Sequence, residues 1–122
     1  MNGAIIPIVD GHWKSVSTLN VDTTKITGNL GITAMVRNGL CYVDLKGMIF
    51  ASAGDSQSDC ITGLPKALKQ GNALLCSGNS TQTYDQTGNS CWINEGGTAV
   101  NFHIRNRTNR CWGTLIYPCE DI

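Results

Sequence analysis

The sequence predicts an all-β fold, an antiparallel β-sandwich of jelly-roll type. Apolar residues come in short runs of strand length, polar turn residues separate those runs, and no stretch carries a sustained helical period. Gly (14 residues), Asn, Thr and Ser are plentiful and Glu is scarce, a composition suited to turns between strands. At 122 residues the chain can close one core and is too short for two ordinary domains.

The segment from Met1 to Asp10 holds an apolar run, Ala4 to Val9, without a basic start or a small-residue cleavage pattern, so a signal peptide is not expected. Residues 1–12 are expected to be an extended lead-in or stalk remnant, with Met1 a start codon at a domain boundary, and residues 13–122 the folded head. Nine basic residues balance nine acidic ones, so no net field draws the chain to nucleic acid or an anionic membrane. No apolar run approaches membrane-spanning length, and no membrane insertion is expected.

The clearest unit is Ile32 to Phe50. Its two apolar runs flank Arg37-Asn38-Gly39, and Asn-Gly accepts positive φ at both centres of a type I′ turn, so a hairpin is predicted. Ala51 to Asp59 has the small and polar residues of a loop. Pro65 excludes a central strand at its own position, and Lys66 to Gln70 allows one helical turn at most. Ala73 to Cys76 reads as a short strand, and Ser77 to Ser90 as a surface loop or edge hairpin. A second hairpin is predicted at Cys91 to Ile104 around Glu95-Gly96-Gly97, with Val100, Phe102 and Ile104 on a core face and Asn101, His103 and Arg105 on a wet one. The last strand, Cys111 to Tyr117, is apolar on both faces, which predicts burial on both sides, in the interior or against another subunit. Pro118 ends it.

Six cysteines are many for this length. Several alternate with apolar residues, as in Cys41, Val43 and Leu45, which favours free thiols buried as small hydrophobes, with disulfides the alternative. No C-x-x-C and no Cys/His pair of zinc spacing occurs, so no metal is expected.

No nucleophile elbow, phosphate loop or H-E-x-x-H motif is present, and neither catalytic residues nor a cofactor are predicted. Asp55 and Asp59 share a polar stretch, where two carboxylates are too few oxygen ligands for a hard cation and are more often simply solvated. His103 is able to meet a ligand oxygen, or to act as a base if a carboxylate lay across the sheet. Its plainer role is a histidine on a half-wet strand. Arg105, Arg107 and Arg110 are three of the four arginines and fall within six positions. Such a cluster can hold phosphate or carboxylate groups, or be a solvated tip with its stems on aromatics. Trp13, Trp92, Trp112, Tyr42, Tyr84 and Tyr117 can stack on sugar rings. Most tryptophans in a domain this size are core, and Tyr84, in wholly polar surroundings, is the best exposed candidate.

In order along the chain, Val36-Arg37-Asn38-Gly39-Leu40-Cys41-Tyr42-Val43-Asp44-Leu45, Gly63-Leu64-Pro65-Lys66, Ile93-Asn94-Glu95-Gly96-Gly97 and Trp112-Gly113-Thr114-Leu115-Ile116-Tyr117-Pro118 resemble the C-terminal head domain of bacteriophage tail-fibre and receptor-binding proteins. The likeness runs from about Trp13 to Pro118 and departs from the family pattern at Ala67-Leu68-Lys69-Gln70 and in its cysteine content. It implies a non-catalytic homotrimer at the tail tip of a virion, assembled in the bacterial cytoplasm and acting outside the cell. Such a head joins the rest of the fibre through its N-terminus and recognises host cell-wall or surface polysaccharide. The ligand-facing set is then Tyr84, Asp55, Asp59, His103, Arg105, Arg107 and Arg110. The alternatives are a bacterial surface adhesin or disulfide-stapled carbohydrate-binding module, and less favourably a small glycan hydrolase, for which Asp55, Asp59 and His103 must converge.

Overall fold

A computed structural model describes residues 12–78, 85–105 and 110–120. The expected lead-in, residues 1–12, lies outside these except for His12. The described residues hold ten strands and no helix: β1 (Lys14–Ser15), β2 (Asn20–Val21), β3 (Ile26–Gly28), β4 (Gly31–Arg37), β5 (Leu40–Phe50), β6 (Gly54–Thr62), β7 (Gly71–Gly78), β8 (Asp85–Ile93), β9 (Val100–Ile104) and β10 (Arg110–Pro118).

The all-β, antiparallel expectation is met. The strands follow one hydrogen-bonded path, β1-β4-β5-β10-β7-β8-β9-β6-β2, with β3 paired to β5 beside it, and every pairing is antiparallel. The path curls over its own core as a half-barrel, so that Phe50 on β5 meets Phe102 on β9, ring centroids 5.0 Å apart. Inward positions alternate as the pleat demands: Ile32, Ala34 and Val36 on β4; Cys41, Val43 and Leu45 on β5; Cys111, Leu115 and Tyr117 on β10. Burying each Leu, Ile or Val of this set stabilises the fold by about 1.5–3 kcal/mol.

Both predicted hairpins form. Arg37 pairs with Leu40 across a turn in which Asn38 (φ 53°) and Gly39 (φ 75°) both take the positive φ of type I′. β8 and β9 flank the Glu95-Gly96-Gly97 turn, with Cys91 opposite Phe102.

Other expectations are corrected. The segment Ala51 to Asp59, read as a loop, runs mostly in β6. Pairing with β9 overrides its Gly, Ser and Asp content, and two register breaks absorb the misfit, one of them spanning Asp59 with φ 54°. Within the limit of one helical turn at Lys66 to Gln70 no helix forms, and Ala67 bridges to Cys119. The segment around Ser77 to Ser90 is not an edge, because β7 lies between β10 and β8, and β8 between β7 and β9. Asn101, expected on the wet face, is buried and accepts the Asp59 N–H on its Oδ1 at 2.9 Å. β10 is interior in the sheet, and within a single copy one of its faces is buried while Ile116 on the other is 47% exposed. No tryptophan is core, since Trp13 is exposed and Trp92 and Trp112 are half-buried. All six cysteines are free thiols, five buried as expected and Cys76 exposed.

Candidate functional site

Strand register sorts the molecule into two ends. At the first, Trp13 precedes β1, which pairs Lys14 with Val36 beside the Asn38-Gly39 turn, and the Cys119 N–H donates to the Gly39 carbonyl at 2.9 Å. The described chain therefore enters and leaves at the same end. There Trp13 packs edge-on against Tyr42, ring centroids 4.9 Å apart, and the Arg37 guanidinium lies 5.2 Å from the Trp13 ring centre.

At the opposite end Gly54 pairs with Ile104, Ser77 with Asp85, Arg110 with Gly78, and Cys111 with Met48. The polar stretches and the arginines singled out in the sequence thus have their described flanks together. Arg105 is exposed at the end of β9, and its backbone N–H donates to Oδ1 of the buried Asn89 at 2.6 Å. Its stem passes over Gly88, where a Cβ would come within 3.1 Å of the arginine Cδ. Asn89 also donates from Nδ2 to Cys111 Sγ at 3.1 Å, which ties β8 to β10 beneath the arginine. Arg110 donates from Nη1 to the Gly47 carbonyl at 2.7 Å, so its guanidinium is held against the β5 bulge.

Arg107 and Tyr84 lie outside the described residues. Asp55 is placed by its backbone alone, near the start of β6. Asp59 is exposed further along that strand and half-buried His103 lies on the adjacent β9, so these three residues share neighbouring strands. Among the described residues no three His, Cys, Asp or Glu side chains gather as metal ligands would. Burial pushes the Cys60 thiol up to about 11 and the Cys91 thiol up to about 12, so neither is a thiolate nucleophile at neutral pH. Burial also raises Tyr117, whose hydroxyl donates to the Pro65 carbonyl at 2.8 Å.

The outer face of β4, β5, β10 and β7 is a feature sequence reasoning undervalued. Met35, Tyr42, Ile116 and Leu74 project from it; Leu74 is 72% exposed. Apart from Arg37 and Arg110 at its two ends, its charges are Asp44 and Lys46, which pair with each other at 3.6 Å. Towards the Arg110 end this face forms an open groove of about 400 Å³, lined by Asp44, Lys46, Cys76, Trp112, Gly113 and Thr114. The alternation Trp112, Thr114, Ile116 along β10 is its signal in the sequence.

A larger cleft of about 490 Å³ lies at the entry end between residues 14–18 and 63–65 and has no aromatic in its wall. Compared with protein-family models, with curated proteins and with solved structures, the chain matches none.

Proposed function

We propose that this chain is the receptor-binding head of a bacteriophage or prophage tail fibre. In this reading it is a non-catalytic homotrimer at the virion tail tip that recognises glycan on the host cell surface. The observation that carries the reading is the separation of the two ends. The described chain enters and leaves beside Trp13 and Gly39, while the described flanks of the polar stretches collect with Arg105 and Arg110 at the other end. A head carried on a stalk needs that polarity, with attachment at one end and recognition at the other.

Two further features agree with it. The curled sheet packs Phe50 and Phe102 from separate strands onto one core, a packing that is compatible with a sandwich head. The apolar outer face holding Met35, Ile116 and Leu74 offers a surface that copies of the chain can cover. The stapled-module alternative has less support, because all six cysteines are free thiols.

The test joins light scattering of the purified chain to its binding on a panel of isolated Gram-negative and Gram-positive cell walls. The expected result is a trimer that sediments with the walls of some bacteria and leaves their polysaccharide uncleaved. A monomer that binds none of them would overturn the proposal.

A further inference from the structure

We infer that the groove around Trp112 is a saccharide subsite, and that it takes a sugar ring bearing an acidic group. The inference rests on the glycan-binding reading above and gives it a location and a ligand class.

Trp112 sits on β10 between β5 and β7, opposite Cys76, on the outward row that also carries Arg110, Thr114 and Ile116. Its indole Nε1 is buried while the residue as a whole is half-buried, so the nitrogen edge is turned into the protein and part of the ring surface stays open. An open aromatic surface on a sheet suits the apolar C–H face of a pyranose. On the groove wall beside it the Thr114 hydroxyl is placed to meet a ring hydroxyl.

The charge pattern selects the class. Lys46 is on the wall, and Arg110 is two residues from Trp112 on the same outward row, its guanidinium fixed at Nη1 by the Gly47 carbonyl next to Lys46. One cation thus lines the groove and a second is held at its Gly47 end. The carboxylate on this wall, Asp44, already lies 3.6 Å from the Lys46 ammonium, and both side chains are about half exposed. A carboxylate or phosphate on the sugar competes with Asp44 for Lys46, whereas a neutral sugar gains nothing from it.

The neighbouring apolar residues do not claim the groove. Ile116 pairs with Tyr42, and Tyr42 with Met35, nearer the end where the chain enters. The face therefore divides into an apolar half towards the stalk and an aromatic, cation-bordered half towards the tip.

The full-length chain is titrated calorimetrically with a galacturonic acid hexamer and with a neutral galactose hexamer, and the same variants are scored on isolated cell walls. Wild type should prefer the acidic hexamer. Trp112→Ala should weaken binding of both hexamers by about tenfold or more, and Trp112→Phe should restore much of it. Asp44→Asn frees Lys46 and should tighten the acidic hexamer by about two- to fivefold without changing the neutral one. Bound acidic hexamer should also slow alkylation of the exposed Cys76 thiol.

Wild-type affinities that are equal for the two hexamers, with Asp44→Asn neutral on both hexamers and on cell walls, overturn the acidic class. Cell-wall binding by Trp112→Ala and Trp112→Phe at wild-type strength overturns the groove while leaving the receptor-binding reading intact. A wild-type chain that binds no cell wall defeats that underlying reading instead.

Discussion

Five of the six thiols are buried, and their burial makes the stability of this domain depend on alkaline pH in a specific direction. Cys60 and Cys91 start from an ordinary value of 9.0 and are pushed up to about 11 and about 12, chiefly because the interior disfavours a thiolate. A group whose folded pKa is raised holds its proton in the native state after the unfolded chain has lost it. Its contribution is therefore complete below pH 9 and is lost as pH rises through the folded values. Cys41 and Cys111 shift the same way for the same reason. Urea midpoints should be flat from pH 6 to 8 with respect to these groups and fall from about pH 9 towards 12, and replacing Cys91 with Ala should shallow that fall. Equal slopes in wild type and Cys91→Ala would show that this thiol is not the source. The same burial makes Cys60 and Cys91 packing residues, since a thiol kept protonated in the interior is a poor nucleophile.

Among the elements, the connection after β6 is the most constrained. Gly63 has φ 74°, and a Cβ there would overlap the Thr18 carbonyl, while the Thr18 hydroxyl donates to the Gly63 carbonyl at 2.5 Å. Two segments are thus clasped where β2 meets the end of β6. Gly63→Ala has to satisfy both a left-handed backbone and a closed space, and should cost more than about 2 kcal/mol in urea unfolding. A loss below about 0.5 kcal/mol would mean that the clasp opens without penalty. Nothing adjacent to Gly63 in the sequence announces this contact, because its partner is 45 positions away. The Asn38-Gly39 hairpin, by contrast, was legible: its turn chemistry is local and its alternation is strict. β6 was misread for the opposite reason, since Gly54, Ser56, Ser58 and Asp59 favour a loop and only pairing with β9 makes them a strand. The site divides the same way. The sequence put Arg105 and Arg110 near each other, but that Asn89 and Gly88 seat the one and Gly47 holds the other depends on strands distant in the chain.

At the scale of the whole molecule the decisive asymmetry lies between the edges of the sheet and its outer face. The edges are poor templates for another chain: β1 and β2 are two residues long, and β6, which β2 covers only at Ile61 and Thr62, is broken by two register shifts. The half of the outer face nearer the entry end is the opposite: Met35, Tyr42 and Ile116 stand in one row across β4, β5 and β10, with Leu74 exposed on β7 alongside. Depletion of unpaired charge around exposed aromatic and aliphatic groups is the composition of an interface core, and a stable interface needs about 800 Å² from each partner. Self-association should therefore run through the face and not through the edges. Ile116→Lys tests this, because Ile116 is 47% exposed and a lysine there reaches solvent in a lone copy without disturbing the core. In an assembly it places like charges around a closed symmetry axis or against an apolar neighbour, either of which opposes association. The variant should run as a folded monomer in light scattering at micromolar concentration, with wild-type circular dichroism. Lys14→Glu at the β1 edge should leave the assembly unchanged. A trimer that survives Ile116→Lys and Leu74→Lys together but dissociates on the edge substitution would move the contact from the face to the edge. It would also leave the apolar half of the face without the role argued for it.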